Sequence, residues 1–414
     1  MDFAPDPATA GLAAPLEDFL ASHVLPAEAV AGEQVAARAA AGRPFARPPV
    51  MSELQAEARA RGLWNLFLPD LPDGRRLGAG LTTLQYAPLA EITGRSPHLA
   101  PEALNCAAPD TGNMELLAHH GSPEQQERWL GPLLAGRIRS AFCMTEPDVA
   151  SSDATNIRLR ARRDGDGYLL DGRKWWSTGA TDPACELLVV MAVTAGPDDA
   201  AVDPRRRWSM LLVPRDTPGV RVVRPLTTFG MSDAGHGGHA EVAFEGARVP
   251  ASALLGAEGE GFALAQARLG PGRIHHCMRL IGTAERALEL MCRRAVSREA
   301  FGRPLTELGS TADRIAEARV AIEQARLLVL RTAWLIDTAG AKAAHTEIQA
   351  IKIAVPSAVQ RIVDDVIQVH GGAGLCQDTV LPQLWLHARA LRIADGPDEV
   401  HRASLARREL RRYT

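Results

Sequence analysis

One stretch in the last third of the chain constrains the fold more than any other. Ile315, Ala318, Ile322, Ala325, Val329, Thr332 and Ile336 follow one another in alternating steps of three and four. That spacing lays an apolar seam along one face of a long helix, which other helices must cover in an antiparallel bundle. Ile274, Met278, Ile281, Leu288 and Met291 form a second seam. Ile348, Ile351, Val355, Ile362, Val366 and Val369 form a third, with Pro356 expected to kink it. A fourth helix is expected after Pro397, with Val400 and Leu405 turned inward. Residues 256–414 therefore read as a C-terminal four-helix bundle.

Upstream the pattern is different. Residues 1–140 read as a helical domain, with Leu12, Leu16, Phe19 and Leu20, then Met51, Leu54 and Ala58, at helical spacing. Ser122-Pro123-Glu124-Gln125 is a good helix start, with Trp129 and Leu130 packing inward. From Ala141 onward short apolar runs alternate with turns. Residues 160–172 read as a hairpin on Asp-Gly pairs, and strands are expected at 187–193, 208–213, 219–223 and 241–244. Residues 141–255 thus read as a small all-β domain, a β-barrel by the resemblance given below, and the expected fold class is multidomain α+β. Asp164-x-Asp166 is not a calcium loop, because position twelve falls on Trp175 in place of Glu.

Composition narrows the function. The formal net charge of −3 gives no field for a polyanion, and the basic run at 407–412 suits a helix C-terminus, so no nucleic-acid partner is expected. Six scattered cysteines with no Cys-x-x-Cys pair argue against a disulfide framework or a zinc site. His119-His120 and His275-His276 lack His-Glu-x-x-His spacing, so they read as structural or surface residues and no metal is expected. No run reaches the length of a membrane span and no signal peptide is readable, so a cytoplasmic protein without stable membrane insertion is expected.

The chemistry-bearing residues lie in five motifs. The last, Ala394-Asp395-Gly396-Pro397-Asp398-Glu399, puts a short carboxylate on a Gly-Pro turn between helical segments. Such a carboxylate is either a surface turn residue or a general base directed into a pocket. The others are Phe142-Cys143-Met144-Thr145-Glu146-Pro147 with Ser151-Ser152-Asp153, Lys174-Trp175-Trp176-Ser177-Thr178, Arg298-Glu299-Ala300-Phe301-Gly302, and Gln368-Val369-His370-Gly371-Gly372. Alone, each has an ordinary structural reading: a strand end, a core tryptophan pair, a solvated turn, a helix C-cap. The last is not Gly-x-Gly-x-x-Gly and follows no βαβ unit, so it is no Rossmann site. The loop 235–239 carries His236 and His239 between glycines and is expected to border the mouth of a substrate site.

In this order, and over essentially the whole chain, the motifs resemble the acyl-CoA dehydrogenase family. The resemblance implies FAD as cofactor. It implies that Phe142, Met144 and Thr145 lie along the flavin, that Trp176 stacks beside it and that Thr178 bonds near its reactive nitrogen. Arg298 would reach the flavin pyrophosphate of a neighbouring subunit, Gln368, Gly371 and Gly372 would line the adenosine half, and Phe301, Pro397 and Glu399 complete the cofactor set. Ser152, or Ser151 because the loop is one residue longer, would meet the pantetheine arm. Arg273 would lie near the thioester and CoA, with Gly396 also on the substrate. Asp395 takes the place of the family's base, usually Glu, and the alternative base position falls on Gly272, which has no proton acceptor.

The function so implied is dehydrogenation of an acyl-CoA to the trans-2-enoyl-CoA, in β-oxidation of medium, long or substituted chains. An electron-transfer flavoprotein would be the acceptor and the assembly a homodimer or homotetramer. Two relatives of the same fold define the alternatives: a flavin oxidase of the nitroalkane type, and a flavin-binding relative with low turnover associated with nucleic acid.

Overall fold

A computed structural model describes residues 3–196, 203 and 206–413. Met1, Asp2 and Thr414, at the ends of the expected outer domains, lie outside the described residues. Helices α1 (Pro7–Phe19), α2 (Leu25–Ala40), α3 (Pro49–Ala60), α4 (Thr83–Gly94), α5 (Ala100–Ala103), α6 (Asp110–His120), α7 (Pro123–Gln125) and α8 (Gly131–Leu134) come first. Strands β1 (Arg139–Cys143), β2 (Arg160–Asp164), β3 (Gly167–Thr178), β4 (Cys185–Val193), β5 (Trp208–Pro214), β6 (Val220–Leu226), β7 (His239–Pro250) and β8 (Leu254–Leu255) follow. The chain then forms α9 (Gly261–Ser297), the hairpin β9 (Glu299–Ala300) and β10 (Arg303–Pro304), α10 (Gly309–Ala339), α11 (His345–His370), α12 (Leu381–Ala390) and α13 (Asp398–Leu410). No helix among the described residues is long and apolar enough to cross a membrane.

These elements form two compact units, neither continuous in sequence: Met1–Leu25, Leu81–Pro101 and Gly272–Thr414 in the first, Pro26–Gly80 and Glu102–Pro271 in the second. The first unit is helical. Its core is the seams read from the sequence: Ala318, Ile322, Ala325 and Val329 of α10, Ile348, Ile351, Val355, Ile362 and Val366 of α11, and Ile274, Met278, Ile281, Leu288 and Met291 of α9 are all buried. α4 and α9 cross at two glycines. A Cβ on Gly94 would meet the Arg279 carbonyl oxygen at 1.8 Å, and one on Gly282 would meet that of Glu91 at 1.8 Å, so only bare backbone permits the approach. Asp337 of α10 accepts from the amides of Thr83 (2.9 Å) and Leu84 (2.8 Å), supplying anionic charge where the first turn of α4 leaves amides unpaired. Pro356 is buried within α11, which runs through it as one helix. Of the two residues of α13 expected inward, Leu405 is half-buried and Val400 differs from expectation. Val400 is 38 % exposed, while Asp398 and His401 are buried, because that face is occupied by polar contacts to the preceding turn.

The second unit holds one eight-stranded sheet in the order β6-β7-β3-β2-β4-β5-β8, with β1 pairing β4 in parallel. Every strand contributes to a single core: Ala141 and Cys143 from β1, Ala161 from β2, Leu170 from β3, Val190 from β4, Val213 from β5 and Phe244 from β7, with Val220 of β6 and Leu254 of β8 packed against it. Period-two alternation achieves this on β1, where Ala141 and Cys143 face inward and Phe142 does not. The hairpin β2–β3 turns on Gly165-Asp166, with Asp164 paired to Gly167. Beneath β1, Arg139 is buried against the carboxylates of Glu102 and Asp110.

Candidate active site

In the first unit the centre is the turn between α12 and α13. Asp395 has φ +56°, a left-handed conformation unfavourable for a residue with a Cβ, and Gly396 follows at φ +105°. The turn holds this shape because each of its three carbonyls is bound by a side chain from a different helix. Lys352 Nζ of α11 donates to Ala394 O (2.8 Å) and also to Leu391 O (2.7 Å). Arg273 Nε of α9 donates to Asp395 O (3.0 Å), and His401 Nε2 of α13 lies 3.0 Å from Gly396 O. Burial pushes the His401 imidazole down to about 4, so near neutrality it is uncharged and must carry its one proton on Nε2 to bond that carbonyl. Its Nδ1, 2.6 Å from Gln349 Oε1, is then an acceptor, which requires the Gln349 amide to turn over and present its NH2.

The Asp395 carboxylate is partly buried against α9. A Cβ on Gly272 would lie 3.1 Å from its Oδ2, so the absent side chain at Gly272 is the space the carboxylate uses. His276 Nε2 is 3.5 Å from the same oxygen. Arg279 Nη2 donates toward His276 Nδ1 at 3.3 Å, which leaves the ring proton on Nε2, facing Asp395. Oδ2 is thus the anchored oxygen.

In the second unit the centre is the segment leaving β1. Fully buried Lys174 donates to Met144 O (2.9 Å) and Glu146 Oε1 (2.8 Å), and the Glu146 carboxylate also accepts from the amides of Arg158 and Leu159, each at 2.8 Å. Trp175 N donates to Thr145 O (2.9 Å) and Glu146 N to Ser151 Oγ (2.9 Å). Thr145 is therefore held on both sides. A break in the β3–β7 register between Lys174 and Ser177 puts Trp176 at φ +50° and leaves its indole 41 % exposed. Thr178 Oγ1 is 3.0 Å from His239 Nδ1, and the His239 ring lies 5.3 Å from that of Trp176. Burial pushes the His239 imidazole below its ordinary value. On the face of β1 away from the core, the Arg268 guanidinium stacks 4.0 Å over the Phe142 ring.

The remaining residues divide cleanly. Asp395, Gly396 and Arg273 come together in the first unit; Met144, Thr145 and Ser151 in the second, as do Trp176 and Thr178. Ser151 is engaged inside its own loop, whereas Ser152 is exposed. Phe301 and Gly302, with φ +54° and +78°, form the two-residue turn of the β9–β10 hairpin, and Phe301 is 95 % exposed beside exposed Arg298. Gln368, Gly371 and Gly372 are exposed at the end of α11, and a Cβ on either glycine would meet nothing within 4 Å. Pro397 caps α13 at φ −69°, and Glu399 is exposed in its first turn. Sequence reasoning read His276 as a structural or surface residue and passed over Lys352. His276 lies one helical turn beyond Gly272-Arg273, and Lys352 interrupts the inward face that runs from Ile348 to Val355. The break in the apolar face at Lys352 was visible in the sequence, but what either residue binds was not.

Within the second unit, an exposed indole with a hydroxyl beside it fits a flavin ring, and within the first, glycines open to their surroundings fit the close approach of a dinucleotide backbone, so each set by itself suits part of FAD. Comparison with known proteins bears on the same question. Residues 141–247 match the family model "Acyl-CoA dehydrogenase, middle domain" and residues 259–410 match "Acyl-CoA dehydrogenase, C-terminal domain". The chain is 52% identical over 412 residues to the Mycobacterium tuberculosis protein named "Probable acyl-CoA dehydrogenase FadE2", spanning 100% of this chain and 98% of that protein. It is 50% identical over 395 residues to "Acyl-CoA dehydrogenase family member 11" of Gallus gallus, spanning 95% of this chain but 49% of that longer protein. The solved "Structure of a putative acyl-CoA dehydrogenase from Mycobacterium abscessus" superposes with a TM-score of 0.93 at 51% identity, over 99% of this chain and 100% of that one.

Proposed function

The chain belongs to the acyl-CoA dehydrogenase family of FAD-dependent oxidoreductases, and from that premise we propose that it converts an acyl-CoA thioester to the trans-2-enoyl-CoA with Asp395 as the base. The observation that carries this reading is the Asp395 turn. A carboxylate is held in a left-handed conformation, with one oxygen backed by α9 and its own carbonyl bound by Arg273. A plain surface turn needs none of this.

Asp395 takes the α-proton of the substrate through the oxygen that α9 does not anchor. The electron pair of that C–H bond becomes the Cα–Cβ π bond as hydride departs from the β-carbon; bound FAD supplies the hydride acceptor. The amides of Asp395 and Gly396 have no hydrogen-bond partner among the described residues, and the Asp395 N–H is the donor we assign to the thioester carbonyl as it gains enolate charge. Trp176, Thr178, Phe142, Met144 and Thr145 hold the flavin ring, Ser152 the pantetheine arm, and Gly396 and Arg273 the region of the thioester. Arg298, Phe301, Gln368, Gly371, Gly372, Pro397 and Glu399 serve the rest of the cofactor. Medium, long or substituted acyl chains, a place in β-oxidation in the cytoplasm, an electron-transfer flavoprotein as acceptor and a homodimeric or homotetrameric assembly belong to the same proposal. So does a functional division into residues 1–140, 141–255 and 256–414.

Anaerobic addition of a panel of acyl-CoA esters to the purified yellow protein tests the reading. Bleaching of the flavin absorbance by one chain class, with enoyl-CoA as product, is expected. A yellow protein that no ester bleaches contradicts it.

A further inference from the structure

We propose that Lys352 is a positioning residue for catalysis: it fixes the peptide between Ala394 and Asp395 so that the Asp395 N–H is presented to the substrate. This rests on the reading of Asp395 given above and goes beyond it, to a side chain that touches neither substrate nor cofactor.

Lys352 is 1 % exposed on the inward face of α11. Burying an ammonium is costly unless its charge is compensated. Its donors go to two backbone carbonyls, Leu391 O at 2.7 Å and Ala394 O at 2.8 Å, and no carboxylate lies within ion-pair distance of it among the described residues. The carbonyl of Ala394 and the amide of Asp395 belong to one peptide plane. In a trans peptide the C=O and N–H vectors are antiparallel. Binding the carbonyl from one side therefore aims the Asp395 N–H to the opposite side, away from Lys352. That N–H, with no partner among the described residues, is free to donate. A cation on the carbonyl also polarises the peptide, which strengthens the N–H as a donor. Arg273 on Asp395 O and His401 on Gly396 O hold the next two peptides in the same manner, so the turn cannot rotate one plane without breaking a charge-assisted or buried hydrogen bond.

A neutral side chain at 352 should therefore cost catalysis more than binding. The test compares wild type, Lys352→Met and Lys352→Gln as flavin-loaded enzymes, using kcat and KM with the best acyl-CoA and titration with its 3-thia analogue. The analogue can lose its α-proton but is not dehydrogenated. Its enolate next to the flavin is read as long-wavelength absorbance. We expect kcat to fall about a hundredfold in Lys352→Met and less in Lys352→Gln, whose amide keeps a donor. Analogue affinity should stay within about threefold while the long-wavelength band is lost. A kcat within threefold of wild type, or equal losses in kcat and analogue affinity, overturns the assignment. Should Lys352→Met fail to fold or to hold flavin, Lys352→Gln against wild type carries the same comparison. Failure of wild type itself to be bleached by any acyl-CoA refutes the dehydrogenase reading, and is thereby distinct from failure of the role assigned to Lys352.

Discussion

The molecule contains two lysines buried to the same degree, and they are used in opposite ways. Lys174, in the second unit, gives its charge to Glu146, whose carboxylate in turn accepts two backbone amides. Lys352, in the first unit, meets only carbonyl oxygens. Burial pushes both below the ordinary lysine value, and Glu146 is the main group opposing that shift at Lys174, while Cys277 and Asp395 oppose it at Lys352. The first arrangement cancels a charge to fix a loop. The second keeps a charge to polarise a turn. The corner around Thr145 is thus built for rigidity and the turn around Asp395 for polarity. A buried cation without a carboxylate is the costlier of the two, and such groups concentrate at functional sites.

The largest effect that sharpens this contrast should come from Lys174→Met. It leaves Glu146 buried without its counter-charge, and breaking a buried pair costs about 3–5 kcal/mol. Chemical denaturation should show that loss; a variant as stable as wild type would mean that the pair contributes nothing. Acid should act on the other region. His401 is depressed to about 4, and His275 to about 3, both first by burial. Lys352 and Arg273 facing His401 push the same way, and Asp395 and the Gly396 carbonyl oppose them. Above the unfolded value near 6.5 neither state binds the proton. As pH falls from there toward about 4 the unfolded chain takes up a proton that the folded chain refuses, so stability drops, by on the order of 1–2 kcal/mol for His401. Tm measured across that window should fall less steeply in His401→Gln; parallel slopes would break the link between this imidazole and the turn. The smallest effect is expected from Gly272→Ala. Its methyl meets Asp395 Oδ2, so kcat should fall about tenfold, while stability holds or rises by about 0.5–1 kcal/mol from helix propensity. Unchanged kcat would mean that the carboxylate does not depend on that space.

Much of this was legible in the sequence, for identifiable reasons. The seams of α9, α10 and α11 were readable because burial on one helical face forces a 3.6-residue period, and the hairpin at 160–172 because its turn demands Asp-Gly chemistry. Val400 misled because α13 is oriented by hydrogen bonds from Asp398 and His401, which an apolar pattern does not register. The two discontinuous units were also hidden: the α4–α9 crossing depends on Gly94 and Gly282, which stand far apart in sequence and look like ordinary helix glycines. At the site, the resemblance supplied Asp395, Trp176 and Thr178. His276, Lys352 and His239 gain their meaning only from neighbours brought by folding. His239 in particular, expected at a substrate mouth, lies against Thr178 and Trp176.

If Asp395 removes the proton, Asp395→Asn should abolish the chemistry and spare the fold. The variant keeps the size and the backbone amide of the residue but cannot accept a proton. Rapid anaerobic mixing with the acyl-CoA that bleaches wild type should give a yellow, folded variant that binds the ester, with flavin reduction slowed by about a thousandfold or more. Reduction at the wild-type rate would show that the base is another residue, and that the cage of side chains around Asp395 serves some other end.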